Sequence, residues 1–515
     1  MQHNQNLKET FRAEIPGFAE KARAFAAGEI DRKAYKGISG GFGSYAQRGE
    51  TGNMLRLRLP GGRVTKQQLA FLAKSVDEHN VQRMKITTCQ TIQMHDLTAD
   101  SVADMMEKAI DCDIITRGGG GDHPRNVMVN PLSGLEKGEY FDVRPVAEAV
   151  GRHLVERIWT LKMPRKLKVA FSNGVSDEVH ATFRDLGFVA RKDGAFDVYC
   201  AGGLGPNPKL GLLVAQALPV QDAACAVEAM IDVFCTHGNY ENRAKARTRY
   251  LRETLGDEGL RTAFAEALKK AAGRDDVQLE IADWQPEPGK EELTLPMPRV
   301  TEQKQHGLYA VKYHPAGGLL TPDAVHRLNQ VIGNSAQAEL RLDPCGAVYV
   351  VNLTAGEVPE ALEATKESAQ TVFESSTACI GASTCQQGVR DSQALLTECV
   401  KAVREAGLAA NALPKVAISG CPSSCGTHQA SAMGFVGGVK MIDKVAHPAF
   451  TLFLGGCDAL GKETLGTPVC AMLQAEVPAF LVELGRAVEQ SGKGFDEWMK
   501  TNEETLRTIA QKYAK

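Results

Sequence analysis

The sequence lacks a long apolar run. No stretch of about 18 uninterrupted hydrophobic residues occurs among its 515, which excludes a membrane-spanning helix. Its N-terminus, MQHNQNLKETFRAEIPG, has no apolar segment of the kind an export signal needs, so a cytoplasmic location is expected. An excess of charge of one sign is missing too. With 59 basic against 62 acidic residues the formal net charge is -3, and no overall field exists to gather a nucleic acid or an anionic membrane. Neither is expected as a partner, and any anion site must be built locally. No low-complexity tract occurs. With 43% hydrophobic and 23% charged residues the chain can bury sizeable cores, and its length fits roughly three to four domain-sized units. What is abundant is cysteine: thirteen residues, an odd number, in a chain expected to stay in a reducing compartment. Metal ligation or simple burial is then a better reading than disulfide pairing.

Internal repetition shapes the fold reading. Met54 to Thr65 (MLRLRLPGGRVT) matches Leu308 to Thr321 (LYAVKYHPAGGLLT): each alternates like a strand, turns at Gly-Gly and runs into an amphipathic helix. A second strand is expected after each, Arg83 to Thr98 and Glu339 to Thr354, which sets Cys89 on Cys345. Lys168 to Val189 aligns without a gap on Lys415 to Val436, sharing KVA and GFV, and Phe196 to Gly203 echoes Phe450 to Gly456. Residues 274–300, acidic and Pro-rich without helical periodicity, read as a linker. The alternation of strands and helices predicts an α/β (α+β) chain of two related halves, roughly 40 to 250 and 300 to 490, each with a small and a larger piece.

In the second half, Cys379 and Cys385 stand six apart in TACIGASTCQQG, and Cys421 and Cys425 stand four apart in SGCPSSCGTH. Four thiolates are the usual ligand set of a [4Fe–4S] cube. Gly, Ser and Pro around each pair permit tight turns that aim sulfurs inward and offer N–H donors to the cluster. Structural zinc favours shorter knuckles than the five-residue gap between Cys379 and Cys385. Cys112, Cys200, Cys225, Cys235, Cys399, Cys457 and Cys470 lie singly in apolar or helical surroundings and read as buried, unliganded thiols. The first half has Gly174 and Glu178 where the second has Cys421 and Cys425.

These motifs resemble those of the sirohaem-containing sulfite and nitrite reductases, whose cluster motif of Cys, five residues, Cys, a long gap and Cys-Pro-x-x-Cys-Gly is matched by Cys379, Cys385, Cys421 and Cys425. The likeness spans roughly residues 30 to 490. It implies a ferredoxin-like piece and a larger sirohaem- and cluster-binding piece in each half. The expected boundaries are an N-terminal extension over 1–50, ferredoxin-like pieces over 51–117 and 301–370, larger pieces over 118–273 and 371–490, and a C-terminal helix over 491–515. It implies sirohaem and a [4Fe–4S] cluster as cofactors, with Cys425 ligating both the cube and the sirohaem iron. Arg56 (MLRLRLPGG), Arg125 (DHPRNVMVNP) and Lys166 and Lys168 (MPRKLK) lie in segments similar to the family's anion pocket, where cationic residues cancel substrate charge and supply protons. Being two apart, Lys166 and Lys168 are expected on one strand face, as are Arg56 and Arg58.

The segment RMKITTCQTIQMH resembles the family's sirohaem-lining strand, in which a Lys or Arg is followed by a Thr-x-Arg-Gln turn and then by Gln and His, and it matches at Lys85, Gln90, Gln93 and His95. Cys89 departs from the pattern, standing where the family usually has Arg. Lys85, expected on the same strand face, is the residue that would cover for it. The Gly-rich stretches lack the spacing of a nucleotide loop, so electrons are expected from a separate donor, a ferredoxin or a flavoprotein subunit. The resulting expectation is six-electron reduction of sulfite to sulfide. The paired lysines favour it, because nitrite-reducing relatives more often carry Asn at the position of Lys168. Nitrite reduction to ammonia is the alternative on the same apparatus. A haem-free iron–sulfur carrier or sensor and a structural zinc protein are alternatives from other classes.

Overall fold

The computed structural model describes residues 2–50, 52–282 and 284–514. Four five-stranded sheets, arranged as two pairs, carry the fold.

The first small sheet runs in the order Ser44–Ala46, Asn53–Leu57, Ile92–Leu97, Met84–Ile86 and Leu319–Leu320. The second runs Val300–Glu302, Leu308–Tyr313, Val348–Thr354, Glu339–Leu342 and Arg63–Val64. Each sheet therefore takes its last, two-residue strand from the other half. The exchange follows from the Gly-Gly turns: Gly61 and Gly62, and Gly317 and Gly318, all have positive φ, a conformation open to glycine at no steric cost. This turn throws the next residues across to the neighbouring sheet before a Thr-capped helix begins, Lys66–Glu78 after Thr65 and Pro322–Asn334 after Thr321. The two sheets and these helices share one apolar core, which also takes Phe11, Ile15 and Phe18 of the helix Gln2–Ala26. Ser44–Ala46 pairs with Asn53–Leu57, so the expected N-terminal extension is woven into the first sheet rather than set apart from it.

Each larger sheet has three parallel strands followed by two antiparallel ones. Pro124–Val129, Leu167–Ser172 and Leu186–Ala190 are continued by Ala195–Cys200 and Leu212–Pro219. Thr377–Ala378, Val416–Ser419 and Met433–Ile442 are continued by Val445–Leu454 and Thr467–Leu473. The register repeats as well: Val169 pairs with Leu186 and, in the other copy, Val416 with Met433. Helices Arg144–Glu156 and Ser392–Glu405 make the crossovers that parallel pairing requires. Helix Phe495–Lys512 packs Trp498, Leu506 and Ile509 onto the second of these cores. No helix among the described residues is long and apolar enough to cross a membrane.

One expectation is corrected. Residues 83–98 are not one strand but a hairpin, Met84–Ile86 and Ile92–Leu97, joined by a turn in which Thr87 N donates to Thr91 O at 2.9 Å and Gln90 has φ 52°. The second copy turns at the same place, between Glu339–Leu342 and Val348–Thr354. Cys89 and Cys345 therefore sit on turns, not on strand faces.

Candidate functional site

All thirteen cysteines are free. Cys379, Cys385, Cys421 and Cys425 come together electrostatically: Cys379 and Cys421 each act on Cys385 and on Cys425. Cys379 follows the short strand Thr377–Ala378, and its sulfur accepts the N–H of Gly420 at 3.2 Å and lies 3.0 Å from Ser392 Oγ. The N–H groups of Gln387 and Gly388 point at the Cys385 sulfur. Ser419 Oγ organises the other loop, accepting Gly426 N–H at 3.0 Å and lying 2.9 Å from His428 Nδ1. Burial lowers the His428 pKa to about 4, so the ring beside that hydroxyl is neutral. Thiolates around one zinc ion lie about 3.8 Å apart, as Zn–S bonds of about 2.3 Å require. Among the described residues, three or more ligand atoms lie within 4.8 Å of one another only at Glu78, His79 and Asp104, a surface group tied together by Lys108. The four sulfurs are thus neighbours set wider than a zinc tetrahedron, with N–H donors aimed at them, which fits a larger cluster.

Cys425 is exposed at its surface, yet protein surrounds it closely enough that burial, before its like-charged neighbours, pushes its thiol up to about 11. Open surface inside dense surroundings marks the floor of a hollow. Lys166 and Lys168 are half-buried with the same signature. Burial comes first in lowering both, followed for Lys166 by Lys168, Arg247 and Arg125, while Cys425 opposes the shift. Arg56 and Arg125 both donate to Gly119 O, Arg56 at 2.7 Å, and Arg125 also reaches Gly121 O at 2.8 Å. The glycine run 118–121, which fits no nucleotide loop, is thus the backbone that holds two guanidiniums side by side. Arg58 does not join them. It is buried, with its nitrogens on the carbonyls of Arg117, Pro124 and Arg125.

The residues expected to line the sirohaem divide. Arg56, Gln93 and Lys85 are register partners on adjacent strands, so their side chains share one face. Lys85 Nζ, however, donates to Gly317 O at 2.6 Å and lies near Cys379; burial lowers its pKa to about 8. It serves the cluster side and does not cover for Cys89. His95 shares the face of Gln93, with Nδ1 3.1 Å from Gln47 Oε1 and Nε2 without a partner. Burial, then Arg83, brings its pKa down to about 3. The expectation for Gln90 is corrected: its amide donates to Val129 O and Leu342 O, both at 2.7 Å, and accepts Val129 N–H at 2.9 Å. One N–H of Gln90 thus ties the turn to the second half at Leu342 and the other ties it to Val129 in its own half, which leaves neither amide N–H for a cofactor.

Four residues were not foreseen. Tyr45 Oη accepts Gly121 N–H at 2.8 Å; burial resists ionisation of the phenol, but Arg125, that N–H and Arg56 outweigh it and lower its pKa. Asn126 grips the Cys89 turn from behind, donating to Cys89 O at 3.1 Å and Gln90 O at 3.0 Å. Arg247 pairs with Asp185 at 2.9 Å, and Asp185 also accepts Lys168 N–H at 2.9 Å. Arg184 lies against the same turn, its Nη2 donating to Thr88 O at 3.3 Å. Nothing local in the sequence links these positions, apart from the basic run NRAKARTR, which contains Arg247. Arg125 Nε and Arg247 Nε are buried without partners. A hollow bounded by unspent guanidinium donors and two lysines, with Cys425 on its floor, suits a ligand with several carboxylates and a thiolate-seeking metal, as sirohaem is.

Comparison with known proteins agrees with this chemistry. Residues 45–111 match the family described as Nitrite/Sulfite reductase ferredoxin-like half domain, and residues 120–272 match the Nitrite and sulphite reductase 4Fe-4S domain. Ferredoxin–nitrite reductase of Synechococcus elongatus is 27% identical over 454 residues, covering 84% of this chain and 86% of the relative. Sulfite reductase [ferredoxin] of Mycobacterium tuberculosis is 24% identical over 404 residues, covering 76% and 70%. The solved structure of the Mycobacterium tuberculosis NirA protein shares the fold, with TM-score 0.77 at 22% identity over 98% of this chain and 97% of that one. Repeated architecture, clustered thiols, cationic hollow and sequence relatives converge: the chain belongs to the nitrite and sulfite reductase family, oxidoreductases that bind sirohaem and a [4Fe–4S] cluster.

Proposed function

We propose that the protein reduces sulfite to sulfide with six electrons from a ferredoxin-like donor. The observation that carries the reading is the convergence of Lys166 and Lys168 with Arg125 beside Cys425. Cys379, Cys385, Cys421 and Cys425 would hold the cluster, and Cys425 would also hold the sirohaem iron. Bound there, sirohaem supplies the metal for the substrate and, through the shared thiolate, a route for electrons. The chain's own residues do the rest. Arg56 and Arg125 present fixed positive charge to the anion, which a desolvated site makes more effective than water would allow. Lys166 and Lys168 have lowered pKa values, so their ammonium groups are stronger acids than ordinary lysines and suited to donating protons as oxygens leave as water. Tyr45 stands by as a further O–H on the arginine side.

The donor is proposed from the relatives, which are named for ferredoxin. Nitrite reduction is the second reading, favoured by two observations. The Synechococcus relative is a nitrite reductase. Cys89, whose pKa falls to about 6 because Lys168 and Arg184 outweigh the effect of burial, also makes the pocket less positive than an Arg there would, and so better suited to a singly charged anion. Steady-state kinetics with a dithionite-reduced dye decide between them. A kcat/KM ratio favouring sulfite is expected; a ratio favouring nitrite overturns the order.

A further inference from the structure

We propose that Arg184 supplies the guanidinium that the family's motif places at position 89, and that it is a positioning residue for a carboxylate of the sirohaem. This inference rests on the reading that the hollow above Cys425 takes that cofactor. The turn from Thr87 to Thr91 is held from behind by Asn126 and from the side by Arg184. Arg184 comes from the other sheet system, just before strand Leu186–Ala190. It is only 5% exposed, and its Nε is fixed on Val179 O at 2.9 Å. That anchor leaves the far end of the guanidinium against Thr88, the residue preceding Cys89, and Thr88 Oγ1 in turn donates to Cys425 O at 3.1 Å. One guanidinium thus bears on the turn that adjoins the thiolate shared by both cofactors.

Cys89 faces Lys168, Arg184 and Arg56. A side chain that ended in a charge at position 89 would enter that same group of cations. A sulfhydryl there makes room for Arg184, and a positive charge stays at the turn although its residue of origin has changed. The internal repeat sharpens the point. The position matching Arg184 in the second half is Ser431, while Cys89 is matched by Cys345. Arg184 is therefore no part of the shared scaffold, and it appears only in the half that carries the cationic hollow. Lys85 is excluded from the role, since its amine is committed to Gly317 O on the cluster side.

The test measures cofactor retention rather than turnover. Wild type, Arg184→Gln, Arg184→Lys and the double variant Cys89→Arg/Arg184→Gln are produced with the sirohaem precursor available. Sirohaem per chain is then measured by extraction, and its release rate in the presence of a haem-scavenging protein. Losing one charge-assisted contact should weaken retention about 10- to 100-fold in Arg184→Gln. Arg184→Lys should fall between that variant and wild type, and the double variant should recover most of the loss. Thermal unfolding of the cofactor-free proteins separates this from a structural role. The Val179 contact is absent from both glutamine variants, so both should unfold at the same lowered temperature even though only one of them loses sirohaem. Wild-type retention in Arg184→Gln overturns the proposal, as does a double variant no better than the single one. Should Arg184→Gln not accumulate as folded protein, equal loss of sirohaem in Arg184→Lys and in the double variant overturns it. Wild type that takes up no sirohaem refutes the underlying reading instead, which keeps the two failures distinct.

Discussion

Replacing Lys166 with methionine should make the protein more stable and a worse enzyme at once. Among the described residues Lys166 has no hydrogen-bonding or ion-pair partner; it sits in dense surroundings and faces Lys168, Arg247 and Arg125, while Cys425 favours its charge. Its pKa is consequently well below that of a free lysine, and each unit of such a shift reflects about 1.4 kcal/mol of unfavourable interaction with the charged form. Methionine keeps the length and apolar stem and removes the charge, so cofactor-free protein should gain about 0.5–2 kcal/mol, the usual range for a single substitution that relieves unfavourable charge. The anion loses a cation at about 4 Å, a contact of up to about 4 kcal/mol at an effective dielectric of about 20. The fall in kcat/KM should therefore be about 100- to 1000-fold. Urea unfolding of the cofactor-free variant and dye-linked kinetics of the loaded one measure the two effects. A variant that is less stable than wild type, or one with unchanged kcat/KM, would refute the reasoning that Lys166 is strained into place for the substrate.

Further outcomes follow from the same geometry. Gln90→Ala breaks three buried hydrogen bonds, two to Val129 in its own half and one to Leu342 in the other, and should cost about 3–5 kcal/mol in urea unfolding of cofactor-free protein; a residue that served only the cofactor would leave that stability unchanged. Cys425→Ser should abolish sirohaem retention and leave a damaged or absent cluster, read by iron and sulfide content; wild-type levels of both would refute the shared-ligand assignment. The buried Asp185 carboxyl lies below the usual range because Arg247 and the Thr248 hydroxyl outweigh the burial that would raise it. The folded chain thus binds that proton less readily than the unfolded chain, and the stabilisation is present above about pH 4 and shrinks as pH falls through the folded value. The melting-temperature gap between wild type and Asp185→Asn should narrow on acidification from pH 6 to pH 3, and a widening gap would contradict this assignment.

The duplication was legible because each copy repeats whole patterns: Gly61-Gly62 recurs as Gly317-Gly318, and Lys168 to Val189 recurs as Lys415 to Val436, segments whose strands pair in matching registers. The four cysteines that the structure brings together were legible as a group too, since each pair is local and sits in turn-forming residues. The turn at Cys89 was signalled only by the family resemblance, for Thr-Thr-Cys-Gln contains no glycine or proline and its bend is held by distant groups, Asn126 above all. The second copy carries Asp343-Pro344-Cys345-Gly346 at the equivalent place, a turn sequence that marks both once the two are aligned. Gln90 was misread for the same reason: its side chain closes contacts 39 and 252 residues away, which no local pattern encodes. Tyr45, Arg184 and Arg247 reach the hollow from separate elements and carry no signal in residue spacing.

The central claim is that one chain holds a sirohaem and a [4Fe–4S] cluster joined through Cys425, beneath a cationic pocket for a small oxyanion. Optical and electron paramagnetic resonance spectra of anaerobically prepared protein, made with the sirohaem precursor available and titrated with sulfite and with nitrite, test it most directly. The account predicts about one sirohaem and one cluster per chain, haem bands that shift on adding either anion, and magnetic coupling between the two centres. Broad iron–sulfur absorbance without sirohaem bands, or a colourless protein containing zinc, would contradict it.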